Sequence, residues 1–321
     1  MTDRRVIIDS DTAGDDALAI LLAALSDRLA VEGVSIVAGN AAFDHEIANA
    51  KYTLELAGAA TDVPVYEGAR RPLLKEGETA EYVHGAGGLA GIYPDPDVPS
   101  AEAGAIEFLL DTVRENPGEI SLLCIGPLTN VALACMQEPR LNELLEDVWV
   151  MGGAFGAPGN VTPAAEYNFW VDPDAAKIVL RDLEVSVVGW GVCTEGSVLG
   201  GPEIDRIASA REESTYADFF ARVTEPVREF TEGEQGIEGV TQPDSLAVGC
   251  CLDPGIVREA STYRVDVDER EGLTRGYSVA DVNGITDSEP RTRVIEAVDG
   301  ERFQQVFTDA LVAGDPERSI E

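Results

Sequence analysis

The chain has 321 residues, 45% of them hydrophobic, and a mean hydropathy of -0.03, enough apolar chain for a substantial core and too much for a disordered polymer. Acidic residues number 59 against 23 basic ones, a formal net charge of -36, and with no basic stripe to release counterions no nucleic-acid partner is expected. No apolar run approaches the roughly 20 residues of a bilayer span and no charged-then-apolar leader precedes Arg4, so a cytoplasmic protein without a membrane partner is expected.

In chain order, residues 5–8 read as a short buried parallel strand, after which Ala17, Ile20, Leu21 and Ala24 repeat at helical spacing. Strands are predicted over 31–38 and 63–66, with a helix over 43–56 between them. Residues 67–100 hold many glycines and prolines and one histidine; a connection of that length is expected to be functional. Helix 101–114, strand 120–125, helix 128–136 and strand 148–151 follow. Asp172-Pro173 supplies a cap and a first-turn proline for a helix over 175–181, and 185–188 is again strand. The later chain is less regular, with helices near 213–230, 245–252 and 300–313 and strands near 261–267, 276–282 and 292–297. This alternation predicts an α/β fold: a mostly parallel open sheet flanked by helices and joined by right-handed crossovers. One domain over 1–321 is expected.

Asp9, Asp11, Asp15 and Asp16 fall within eight residues, in the turn between the first strand and the first helix. In open α/β sheets ligands bind at such strand ends. Converging carboxylates repel one another unless they are protonated or neutralised by a metal, and an all-oxygen donor set suits Ca2+ or Mg2+. A helix cap accounts for one carboxylate, not four. Later strand ends add Gly39-Asn40, Gly126-Pro127-Leu128-Thr129-Asn130 and Met151-Gly152-Gly153, the last leading to Asn160, Glu166 and Asn168, while Pro243-Asp244 precedes another apolar helix. Converged, these groups make a carboxylate- and amide-rich pocket suited to a polyol. The sequon at Asn160-Val161-Thr162 is discounted, because Pro163 follows it and the compartment is wrong. Five cysteines, Cys124, Cys135, Cys193, Cys250 and Cys251, show no CxxC pair or zinc spacing and are expected reduced. Only three basic residues are lysines; with the acidic excess, this composition points to a protein of a salt-accumulating halophile and to salt-dependent folding.

Taken in order, Asp9-Ser10-Asp11-Thr12-Ala13-Gly14-Asp15-Asp16, Gly39-Asn40, His84-Gly85, the Gly126 to Asn130 and Met151 to Gly153 segments, the stretch from Gly159 through Asn168-Phe169, Val171-Asp172-Pro173-Asp174-Ala175-Ala176 and Pro243-Asp244 resemble the inosine-uridine nucleoside hydrolase family of Ca2+-dependent N-ribohydrolases. The likeness spans almost the whole chain. It implies hydrolysis of ribonucleosides to ribose and free base by a homodimer or homotetramer. It also implies Ca2+ bound by Asp11, Asp16, the main-chain carbonyl of Ile125 and Asp244. Asp15, Asn40, Asn160, Glu166, Asn168 and His84 are implied as ribonucleoside-binding residues, and Asp9 as support from behind. Asp11 is implied as the catalytic base that takes a proton from Ca2+-bound water, and loops near 70–95 and 231–240 as lids. Thr12-Ala13 replaces the family's usual Pro-Gly, and Pro243 stands where nonspecific members carry a histidine that protonates the departing base. Leaving-group activation then falls to His84, another lid residue, or stacking on Trp190 or Phe230. Two rivals are a catalytically idle metal- and ribose-binding homologue and a haloacid dehalogenase-type phosphatase.

Overall fold

Strand β1 (Arg4–Ser10) is buried from Val6 to its end, because a parallel strand covered by helices on both faces has no solvent side. The computed structural model describes residues 4–314. The other strands are β2 (Leu29–Ile36), β3 (Val65–Glu67), β4 (Ile120–Cys124), β5 (Asp147–Met151), β6 (Val185–Val188), β7 (Val198–Leu199), β8 (Val240–Thr241), β9 (Val257–Tyr263), β10 (Val265–Val267), β11 (Ser278–Ala280) and β12 (Thr292–Val298). Eight form one sheet in the order β3-β2-β1-β4-β5-β6-β12-β9. All pairings are parallel except the edge strand β9, which runs antiparallel to β12. Chain order reverses between β1 and β4, so the crevice outside their carboxyl ends is the switch point at which such sheets bind ligands.

One apolar layer packs Leu18, Leu21, Leu246, Val248, Phe303 and Phe307 together; the other joins Leu109, Val131, Ala176 and Val179 to Ile7 and Leu122. Two helices set up the site. Helix α1 (Gly14–Ala24) lies beside the helix Pro243–Leu252, and every residue of the latter is buried. Small residues permit that depth: a methyl on Gly249 would sit 3.1 Å from the Phe303 ring. Both helices begin at the same end of the sheet, so the acidic first turn of each, Asp15-Asp16 and Asp244, meets the other.

The mostly parallel sheet agrees with the alternation in the sequence, and most differences lie in the later chain. The helix expected over 213–230 is two, Thr215–Val223 and Glu225–Phe230, interrupted at Thr224, and it continues into a π-type turn over Thr231–Gln235. Pro226 lacks the N–H a continuous helix needs. The strand expected over 261–267 splits into β9 and β10. Helices Trp190–Gly196 and Gly201–Ser209 were not predicted; Gly189, Gly191, Gly196, Gly200 and Gly201 crowd that stretch and mask the short apolar repeat of Ile204 and Ile207. Among the described residues no helix is long and apolar enough to cross a membrane.

Candidate active site

The turn after β1 is built by its own side chains. Ser10 Oγ donates to Asp16 Oδ1 (2.8 Å), and the N–H of Ala13 donates to Asp16 Oδ2 (3.1 Å), tying the start of α1 to the acid it presents. Thr12 Oγ1 lies 2.8 Å from Ser10 Oγ. Asn40, after β2, braces the same turn: its N–H donates to Asp11 Oδ2 (3.0 Å), and Nδ2 donates to Asp16 Oδ2 (3.1 Å) and the Asp11 carbonyl (3.3 Å). Asp9 faces back into the sheet, where Ser35 and Asn130 donate to its Oδ1. Glycines let these strand ends close in. A methyl on Gly39 would collide with Asp11 Oδ2, and one on Gly126 would lie 2.7 Å from Asp11 Oδ1.

One carboxylate oxygen each from Asp15, Asp16 and Asp244 lie within 4.8 Å of one another. Asp11 is fully buried alongside and acts electrostatically on Asp244. Among the described residues no lysine or arginine pairs with any of these four; the one basic side chain at ion-pair distance is the imidazole of His84, with Nδ1 3.6 Å from Asp15 Oδ1. Burial, and then the charge of Asp16, raises the Asp11 carboxyl well above its ordinary range. Burial and the charge of Asp15 do the same to Asp244 and push Asp16 up to about 7. Burial also carries Asp9 up to about 6, against the hydrogen bonds from Ser35 and Asn130. Buried like charges without a cation behave this way. Asp11 Oδ1 and Asp15 Oδ1 are buried without a hydrogen-bond partner. An all-oxygen donor set with buried, unsatisfied carboxylate oxygens fits a hard divalent metal ion.

Asp15 and Asp244 face a cleft of about 640 Å³, counting its open mouth, within the range of small-molecule sites. Asn40, Ile125, Asn160, Glu166, Asn168 and His84 line it as well. Glu166 caps the short helix Tyr167–Val171: Oε1 accepts from the Asn168 N–H (2.8 Å), and Oε2 accepts from Gly153 N–H (2.8 Å) and Phe169 N–H (3.2 Å). Burial still pushes its carboxyl up to about 7. That cap aims Asn168, whose Nδ2 donates to the carbonyls of Ile125 (3.0 Å) and Met151 (3.2 Å). Asn160 Oδ1 accepts from the Tyr167 N–H (2.9 Å). His84 ends the short helix Glu81–His84, and burial lowers its pKa, so it is neutral near pH 7. Tyr82 and Phe230 meet edge to face at 5.7 Å, joining the 81–84 segment to the 225–235 segment at the cleft, where Trp190 also contributes a wall.

Sequence reasoning did not single out the supports. Asn130, Ser10 and Tyr167 lay within the motifs without a role of their own, although the Tyr167 hydroxyl donates to the carbonyls of Gly39 (2.9 Å) and Glu78 (2.7 Å), and Ser35 gave no signal. Glu46 is fully buried, pairs with no cationic side chain among the described residues, and has its carboxyl pushed up to about 8 by burial. Only tertiary placement reveals these roles.

Sheet and cleft define an α/β enzyme with a carboxylate cluster able to hold a metal at its topological switch point. Residues 6–305 match the family described as inosine-uridine preferring nucleoside hydrolase, and the chain belongs to that family, whose reaction is hydrolysis of the N-glycosidic bond of ribonucleosides. The chain is 31% identical over 309 residues to the pyrimidine-specific ribonucleoside hydrolase RihA of Enterobacter sp. (strain 638), covering 95% of this chain and 97% of that one. Among solved structures it resembles the plant nucleoside hydrolase PpNRh1 (TM-score 0.90, 30% identity, 97% of this chain and 99% of that one). It also resembles a purine-preferring ribonucleoside hydrolase from Gardnerella vaginalis (TM-score 0.88, 28% identity, 96% and 98%).

Proposed function

We propose that this ribonucleoside hydrolase uses Asp11 as general base and Ca2+ as its cation, held by Asp11, Asp16, Asp244 and the carbonyl of Ile125. The supporting observation is the meeting of Asp15, Asp16 and Asp244 from distant parts of the chain, with no lysine or arginine paired with them among the described residues. When bound, the cation supplies Lewis acidity, lowering the pKa of a coordinated water and engaging ribose hydroxyls. Asp11 Oδ2 is fixed by the Asn40 N–H and Oδ1 has no partner, which leaves Oδ1 to take the proton of the attacking water. Asp15, Asn40, Asn160, Glu166 and Asn168 hold the ribose, with His84 at its rim and Asp9 supporting the turn from behind. As the anomeric carbon gains positive charge, the carboxylates around the sugar stabilise it.

With proline at 243, stacking of the base on Trp190 and Phe230 replaces a histidine donor; both rings line the cleft. The 70–95 and 231–240 segments act as lids over a single domain, and the contact of Tyr82, in the first, with Phe230, at the end of the helix that leads into the second, supports this. Five free, buried cysteines support a reducing, cytoplasmic setting, and a homodimer or homotetramer accords with the family resemblance. The composition is that of a halophilic member.

Purified protein is incubated with inosine, adenosine, guanosine, uridine or cytidine in high salt, with and without chelator. Expected is ribose release from at least one, abolished by chelation and restored by Ca2+. Ribose binding without turnover would leave an idle homologue. Asp11→Ala is expected to lower kcat/KM by roughly 10²- to 10⁴-fold; near-normal turnover would remove Asp11 as the base.

A further inference from the structure

Glu46 lies in the first turn of helix α2 (Phe43–Leu56), fully buried, and one of its carboxylate oxygens holds the backbone on both sides of Asn40. Oε1 accepts from the N–H of Gly39 and from the N–H of Ala41, each at 3.0 Å, while Oε2 has no partner. Between these two anchors, Asn40 directs its own N–H to Asp11 and its Nδ2 to Asp16. Three successive backbone donors are thus divided between two acids, the flanking pair to Glu46 and the middle one to Asp11. We propose that Glu46 is a positioning residue of the active site: by clamping the 39–41 turn it sets Asn40, and through Asn40 it sets the Asp11 and Asp16 carboxylates for a divalent cation.

This rests on the metal-dependent reading given above. Glu46 itself touches neither substrate nor reacting atoms, and what it supplies is an acceptor at a fixed reach, not a charge. Removing that acceptor strands two buried N–H groups and lets Asn40 leave its two carboxylates. Groups that orient metal ligands are typically worth 10- to 100-fold in metal affinity.

Calorimetric titration with CaCl2 alone, on the full chain, tests this. Glu46→Gln keeps an acceptor oxygen at the same reach and is expected to bind Ca2+ close to wild type. Glu46→Asp keeps the charge but falls one methylene short and is expected to weaken binding roughly 10- to 100-fold. In an Asn40→Ala background, Glu46→Asp is expected to cost less than in wild type, because the Nδ2 arm of the relay is already gone and only the residue-40 N–H to Asp11 is left for Glu46 to set. Thermal melts alongside confirm that each variant is folded, and Glu46→Gln keeps the comparison open should Glu46→Asp fold poorly. Wild-type affinity in Glu46→Asp, lost affinity in Glu46→Gln, or an undiminished Glu46→Asp loss in the Asn40→Ala background each overturn the proposal. Wild-type protein that takes up no Ca2+ would overturn the metal assignment and the role of Glu46 together, whereas wild-type uptake with an unaffected Glu46→Asp sinks the role of Glu46 alone.

Discussion

Asp11 owes its place to two residues that have no side chain. Gly39 and Gly126 follow β2 and β4, the two strands that flank β1, and each lets the backbone approach the Asp11 carboxylate more closely than any Cβ permits. Gly39→Ala must therefore displace the Asp11 side chain or the 39–41 turn, and either movement breaks the Asn40 N–H bond to Oδ2. We expect Gly39→Ala to lower kcat/KM for the preferred ribonucleoside at least tenfold, as loss of one charge-assisted hydrogen bond implies, with secondary structure intact by circular dichroism. Unchanged kinetics would mean that this approach has no functional weight. At this scale the acids were legible because four of them are crowded into one turn, where burial and mutual repulsion leave few readings besides a cation. Glu46, Asn130 and Tyr167 were not legible. Each is a common residue in an ordinary pattern until the fold shows what its oxygen or amide touches.

At the scale of elements, α1 and the helix Pro243–Leu252 do most to make the site. Pro243 occupies the first turn, where its missing N–H costs nothing and its fixed φ suits the helix. Asp244 beside it sits at the positive end of the helix dipole. The continuous apolar run of 245–252 made this helix readable in advance, as did the periodicity of α1. The two helices directly after β6, Trp190–Gly196 and Gly201–Ser209, were not read, because closely spaced glycines interrupt the pattern there. The far end of Pro243–Leu252 is tied down by Asp253, which accepts from Arg302 Nε (2.6 Å) and Nη2 (3.0 Å) and from the Gly255 N–H (3.1 Å). Burial alone would raise its carboxyl, but the Arg302 hydrogen bonds outweigh that and hold it below the ordinary range. A depressed carboxyl contributes stability above its unfolded pKa of about 3.9 and loses it as pH falls through the lower folded value. Asp253→Asn is accordingly expected to be less stable than wild type at pH 7, by roughly 1 kcal/mol, with the gap narrowing below about pH 4. Parallel melts at pH 7, 5 and 3.5 measure it, and a gap that does not depend on pH would refute the ion-pair account.

Across the whole molecule the dominant feature is charge: 59 acidic residues share 23 basic ones. Many of the arginines that do pair are on the surface, such as Arg206 with Asp309 (2.5 Å) and Arg211 with Asp218 (2.6 Å), where each pair contributes little. The remaining acids repel one another over the Debye length, about 10 Å at 0.1 M salt and about 3 Å at 1 M. Folding concentrates this charge, so raising KCl from 0.1 M to molar levels should raise Tm by several degrees through screening. Sucrose, which favours the compact state by exclusion without screening charge, gives the necessary contrast: an equal rise in sucrose, or no rise in KCl, would refute the electrostatic origin. The carboxylate cluster should respond differently. Its members are buried or nearly so, and buried charges are screened far less than exposed ones. Ca2+ affinity should therefore fall much less steeply with KCl than the stability rises, and an affinity that collapses in molar KCl would place the ion on the exposed acidic surface instead of between Asp16 and Asp244.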